Sequence, residues 1–280
     1  MSSMPSNIAL FIAKCQTCAL LSHARRTFRD AASRSHITAM HALHRVAYMG
    51  ERKCYHKNAM DAINDPVHKM CIISDGMAQH HCFLPHQGQK NDFQPKLKQH
   101  FQGIINHGRG FNVYRTFHNI QLNANAQLHC LLLELEQTYR KEGKLPETIY
   151  VLIDGGTENV ARVVFCILEL LVARRLTKTI YLTRLLKGHT HEDIDAKFGV
   201  LWLFFRLQDV LSPQDYKAFV EAAFNSTNPA KMHDVWVVPD YSSLVSAEMD
   251  KKFKKYCRED WTQHKFKYVM IWSRSSPCTD

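Results

Sequence analysis

No stretch of this sequence stays apolar for the roughly 20 residues that a membrane-crossing helix requires. The early apolar segment 8–12 is short and follows no basic run, so it does not read as a signal peptide. No disulfide framework is visible either. The nine cysteines fall at irregular spacing, and Cys71, Cys130 and Cys166 sit inside apolar runs, where a thiol acts as a small hydrophobe. This usage points to a reducing, intracellular compartment. No G-x-G-x-x-G follows an apolar run, which argues against a dinucleotide-binding dehydrogenase. Internal repeats and low-complexity tracts are absent. Between Pro5 and Pro66 there is no further proline, and Gly50 is the one glycine.

What is present in excess is positive charge. The 280 residues carry 36 Lys and Arg against 26 Asp and Glu, a formal net charge of +10. The surplus sits at the ends, with 10 basic against 4 acidic residues in 1–70 and 8 against 5 in 244–280. Basic flanks around a near-neutral centre suit a polyanion partner whose binding protein holds an acidic site.

Helical texture dominates the first 65 residues, where Ile37, Met40, His41, His44 and Tyr48 recur at helical spacing. After Asp65-Pro66 the pattern changes. Residues 69–75 form a short apolar run that ends in Asp75, the signature of a buried strand. Two further strands are expected at 99–106 and 110–117, joined by a turn at His107-Gly108-Arg109-Gly110. An amphipathic helix over 125–140 carries Leu128, Leu131, Leu132 and Leu135 on one stripe, and Gly143 and Pro146 punctuate its end. Residues 148–154 form the clearest buried strand, again ending in an acid, Asp154. A helix over 158–175, a strand over 178–184 and a helix over 191–207 follow. Ser212 and Pro213 then open a helix that runs to about Phe224. Strands around 236–238 and 265–272, with a lysine-rich helix between them, complete a segment expected to pack beside the core.

The order β-β-β-α-β-α-β-α predicts an α/β, RNase H-like mixed sheet. Its expected parts are a helical region at 1–66, a core at 67–210 and an α+β extension at 211–280. In open α/β sheets, sites form beyond the carboxyl ends of strands. Asp75 ends the first strand and Asp154 the fourth, and those two strands are neighbours in such a fold. A third acid is expected from the helix opened by the run 188–195. There, Ile194, Phe198, Leu201 and Phe205 make a core stripe. Asp195 and Glu192 lie on an adjacent face, while Asp193 reads as solvated and paired with Lys197. Asp195 is preferred, with Glu192 second.

Acids so placed suit in-line displacement at phosphorus, in which two divalent ions roughly 3.5–4 Å apart serve the attacking and leaving oxygens. Mg²⁺ or Mn²⁺ takes oxygen ligands and keeps some water, so two or three carboxylates suffice. Asn159, at the helix start after Asp154-Gly155-Gly156, and His189 and His191 are accessory candidates. Cys15-x-x-Cys18 could be half of a zinc (Zn²⁺) site, for which Cys54 with His56, or His80, His81 and Cys82, would supply the rest. Arg25, Arg26 and Arg29, followed by Arg45, Arg52, Lys53 and Lys57, could contact phosphates.

The strings Ile-Ser-Asp-Gly-Met (73–77), Ile-Asp-Gly-Gly-Thr-Glu-Asn (153–159) and Gly-His-Thr-His-Glu-Asp-Ile-Asp-Ala-Lys-Phe-Gly (188–199) resemble an uncharacterised transposon-derived domain family, similar to the cores of DDE/D transposases and integrases. Cys15-Gln-Thr-Cys18 and His41-Ala-Leu-His44-Arg resemble the region preceding that core. The resemblance covers about residues 12–270. It implies catalytic, metal-binding acids at Asp75, Asp154 and Asp195, DNA as partner, a nuclear location and a homo-oligomer. Two rivals want a second acid two residues after the first: haloacid-dehalogenase-like phosphatases and proofreading exonucleases. Met77 stands at that position. The remaining alternative is a catalytically inactive transposon-derived nucleic-acid-binding protein or gene fragment, since the Cys pair lies close to the start and 273–280 reads as an abrupt stop.

Overall fold

The computed structural model describes residues 15–87, 95–153, 162–184, 193–224, 229–249 and 251, together with the backbone of 268–271. Its centre is β1 (Lys69–Gly76), whose residues Met70 to Ser74 are all buried. A strand buried on both faces can be apolar without alternation, which is why the run 69–75 is so legible. Beside it, β4 (Thr148–Ile153) runs parallel, in the register Ser74 to Ile153. On the other side β2 (Gln99–Asn106) is antiparallel to β1, and β3 (Gly110–Phe117) is antiparallel to β2. The β2–β3 turn closes through Arg109 N–H to Asn106 O at 2.8 Å, with φ of 80° at Gly108, a conformation that favours glycine.

Outward from β4 lies β5 (Thr179–Arg184), parallel to it. Two strands from the C-terminal segment finish the sheet: β6 (Ala230–Val235) pairs parallel with β3, and β7 (Tyr268–Ile271) antiparallel with β5. The seven strands run β6-β3-β2-β1-β4-β5-β7. The C-terminal segment is therefore woven into both sheet edges rather than packed beside the core. The expected strand at 236–238 falls instead at Ala230–Val235, while Trp236 and Val237 are 62% and 74% exposed.

Helices cover both faces. On one, α3 (Ala124–Glu142) and α4 (Arg162–Ala173) bury Leu128, Leu131, Leu135, Phe165 and Leu168 against Met70, Ile72, Ile149 and Val151. On the other, α2 (Ala31–Asn64), α5 (Asp193–Phe205) and α6 (Pro213–Ala222) pack Tyr55, Ala59, Phe198, Leu201 and Tyr216 against Cys71, Ile73 and Phe101. Each Leu, Ile, Val, Met or Phe side chain among these, fully buried, contributes about 1.5–3 kcal/mol. The helix ends follow local chemistry. Asn123 accepts from the N–H groups of Asn125 and Ala126, and Gly143 closes α3 at φ 75°. Ser212 and Asp215 form a reciprocal capping box behind Pro213.

The helical N-terminal region consists, among the described residues, of α1 (Gln16–Thr27) and α2. At 34 residues α2 is about 51 Å long. Its second half lies on the sheet, and its first half carries α1.

Candidate functional site

Alternation along β1 sends Cys71 and Ile73 to the face covered by α2 and α5, and the next residue in that series is Asp75. The Asp75 side chain is half-buried at the carboxyl end of the strand, and its Oδ1 accepts from Gly76 N–H at 2.7 Å. Opposite Asp75 in the ladder is Gly103. A methyl group there would lie 2.6 Å from Phe198 Cζ. The missing side chain thus lets α5 settle onto β1 and β2 at the level of Asp75.

Asp195 is half-buried on α5, flanking the core stripe of Ile194, Phe198, Leu201 and Phe205. Asp75 and Asp195 therefore stand on two elements packed against each other on one face of the sheet. On the same face β4 contributes Leu152, and the strand ends one residue later at Ile153. Asp154, Asn159, His189, His191 and Glu192 lie outside the described residues.

The first turn of α5 is anchored in a way its own sequence does not reveal. Asp193, expected to be solvated and paired with Lys197, accepts a hydrogen bond from Tyr55 Oη at 2.6 Å. The same hydroxyl lies 2.7 Å from His107 Nε2, which is 3.5 Å from Asp193 Oδ2. One carboxylate thus ties α5 to α2 and to the β2–β3 turn. Burial pulls the His107 imidazole below its usual range, with Asp193 acting in the opposite direction and His56 adding to the fall. Lys197 feels the Asp193 charge, and its Nζ also lies 4.7 Å over the Phe224 ring and 6.0 Å over Phe111.

Beside this anchor, at the end of the sheet away from Asp75, a cleft of about 530 Å³ opens between the β2–β3 turn and α3. Buried Glu134 accepts there from Asn106 Nδ2, Asn112 Nδ2 and Tyr114 Oη at 2.9, 2.8 and 2.9 Å. Burial, then the Glu134 charge, pushes the Tyr114 hydroxyl far above its usual range. Arg109, Lys141, Lys197 and Lys231 line the rim, although Arg109 is held by Glu142 at 2.7 and 3.0 Å. Glu134 lies three residues after Leu131 on the apolar stripe of α3. That charge on a core-facing position is the one sequence signal that could have found it.

The Cys15 and Cys18 thiols meet neither of the partner groups expected for them. Cys54 takes a weak contact from Asn58, the His80 and His81 rings lie tilted to each other with centroids 3.8 Å apart, and Cys82 is buried against Ala78 O. Their neighbour is His44 on α2, whose Nε2 is 3.3 Å from Cys15 Sγ. The two sulfurs and a ring nitrogen of His44 all lie within 4.8 Å of one another.

These features define an α/β protein with a mixed sheet, helices on both faces and an acidic residue at the carboxyl end of its central strand. Residues 89–272 match the domain of unknown function DUF7869, and the chain belongs to that family. The matched span holds Asp154 and Asp195 and begins after β1. No curated protein matches the chain, and no solved structure does.

Proposed function

We propose that this chain carries out metal-dependent nucleotidyl transfer or phosphodiester cleavage on DNA, through an RNase H-like core of the transposase and integrase type. The observation that carries the reading is the pairing of Ser74 with Ile153 in parallel register. Asp75 follows Ser74 within β1, and Asp154 is the residue after Ile153 in the chain, so the two acids come next in sequence after a registered pair on adjacent parallel strands. Further support comes from the strand order β3-β2-β1-β4-β5, with β2 alone antiparallel among these five.

The donor set fits a hard cation, because carboxylate oxygens are the ligands Mg²⁺ and Mn²⁺ prefer. Asp75, Asp154 and Asp195 would hold the ions, with Glu192 as the reserve for the third. When bound, such ions activate the attacking oxygen and stabilise the leaving one. The chain's own residues do the positioning. Gly103 admits Phe198, and Tyr55 and His107 hold Asp193, so the helix bearing Asp195 is fixed against β1. Asn159, His189 and His191 are accessory groups in this reading. The net charge of +10 and the basic residues of α1 and α2 favour a phosphate backbone as partner.

Incubation of the full chain with a labelled DNA duplex and Mg²⁺ or Mn²⁺ tests the proposal. Cleavage or strand transfer is expected, falling by on the order of 10³-fold or more in Asp154→Ala, as loss of several kcal/mol of charge stabilisation requires. If the wild type and Asp154→Ala behave identically while both bind DNA, the protein is a nucleic-acid-binding module that keeps the fold without turnover.

A further inference from the structure

We propose that Cys15, Cys18 and His44 bind one zinc ion that cross-links α1 to α2. The site is independent of the acidic centre and needs none of its residues.

The first argument is donor geometry. With Zn–S near 2.3 Å and Zn–N near 2.0 Å, tetrahedral corners stand about 3.5–3.8 Å apart. Cys15 Sγ and His44 Nε2 are 3.3 Å apart, and all three donors fall within 4.8 Å of one another. Small side-chain rotations bring such a set onto one ion. Two thiolates and an imidazole are the soft-to-borderline ligands that select zinc over Mg²⁺.

The second argument is where the ligands sit. Cys15 is the N-cap of α1, yet its side chain caps nothing; it is 6% exposed and turned towards His44. Cys18, three residues on, stands on the first turn beside it. At a helix N-terminus the peptide dipoles favour negative charge, which suits a pair of thiolates. His44 comes from the middle of α2, 29 residues away in the chain. Cys18 and His44 are only half-buried, so water can reach the ion and take the fourth corner.

The third argument is mechanical. None of the 12 residues of α1 is buried. A helix of that length is marginal alone and gains little here from apolar packing. A metal bridge from its first turn to α2 supplies the missing attachment, as in small domains whose cores are too thin to hold them. It would fix the orientation of Arg25 and Arg26 at the far end of α1.

Titration of the full-length, chelator-stripped protein with Co²⁺, then Zn²⁺, tests the site. The expected result is one equivalent of Co²⁺ giving an intense thiolate-to-cobalt charge-transfer band, displaced by one equivalent of Zn²⁺. Carboxylates cannot produce that band, so the result is separate from any metal at Asp75. Cys15→Ser and His44→Ala should each weaken binding by more than the roughly 10–100-fold that losing an outer-shell partner costs. His44→Cys should retain the metal with a stronger charge-transfer band, which guards against mere misfolding of His44→Ala. Exposed His36→Ala should change nothing. Absence of the band in the wild type, or an undiminished band in His44→Ala, overturns the proposal.

Discussion

Tyr55 and Asp193, 138 residues apart in the chain, are joined by a hydrogen bond of 2.6 Å. It links the long N-terminal helix to the first turn of α5, and His107 at the β2–β3 turn shares both partners. Asp195 lies half a turn beyond this anchor. The start of the helix that carries the third candidate acid is therefore positioned by a residue of α2, which precedes the first strand in the chain.

Tyr55→Phe removes the shared hydroxyl and leaves half-buried Asp193 and buried His107 without it. A loss of about 1–3 kcal/mol is expected, the cost of leaving buried polar groups unsatisfied. Urea unfolding followed by circular dichroism measures it. Under the proposed function, DNA cleavage should fall as well, because the first turn of α5 is released. An unchanged unfolding midpoint would show that the bond adds nothing.

Gly103→Ala places a methyl carbon 2.6 Å from Phe198 Cζ and 2.9 Å from Cε1. Overpacking of this kind costs about 1–3 kcal/mol. The combination with Phe198→Leu should recover most of that loss, since the smaller side chain vacates the contested space. Thermal unfolding of the two variants decides the point: equal destabilisation of the single and double variants would mean that the clash is not the cause.

Arg115 is 2% exposed, donates from Nε to Asp234 at 2.7 Å and from Nη1 to Pro213 O at 2.6 Å. It pins β3, β6 and the start of α6 together. Arg115→Met should destabilise by about 3 kcal/mol, the lower end for breaking a buried pair, because Asp234 keeps some solvent. Arg115→Lys should not restore the loss, since an ammonium cannot serve both acceptors in the guanidinium's fixed geometry. Hydrogen exchange across 230–235 would locate the effect on the edge strand.

Acid should weaken the fold before its carboxylates titrate. His81 falls from 6.5 to about 4, chiefly through burial and then through the neighbouring His80 and His86. Burial also lowers His100, His107, His129 and His233. The unfolded chain takes up protons near pH 6.5 that these sites refuse when folded. Their contribution is therefore complete above that pH and is lost as pH falls through the folded values. The urea midpoint should be flat from pH 8 to about 7 and drop steadily between about 6.5 and 4. A midpoint that stays flat down to pH 5 would contradict this.

The parts legible in the sequence are those in which local pattern and tertiary role agree. The apolar runs of β1 and β4 stand out because both faces of those strands are covered. α3 and α6 stand out because Gly143, Ser212 and Pro213 mark their ends. β6 did not stand out: Ala230–Val235 buries only Ala230, Met232 and Val235, without a regular alternation, and is held largely by pairing with β3. Trp236 and Val237 drew the strand a few residues too far along, although both are exposed.

The site divides the same way. Asp75, Asp195 and the Cys15–Cys18 pair could be read from the sequence, because each sits at a strand end, on a helix face or at a short spacing within one element. The sequence by itself determined these elements and the periodicity that turns their apolar faces inward. Only the tertiary structure decided that His44 faces the thiols, that Tyr55 and His107 hold Asp193, and that Glu134 gathers Asn106, Asn112 and Tyr114. Those pairings span between 20 and 138 residues, and no local spacing encodes them. They arise when two helix layers close on a shared sheet and buried polar groups must find partners across it.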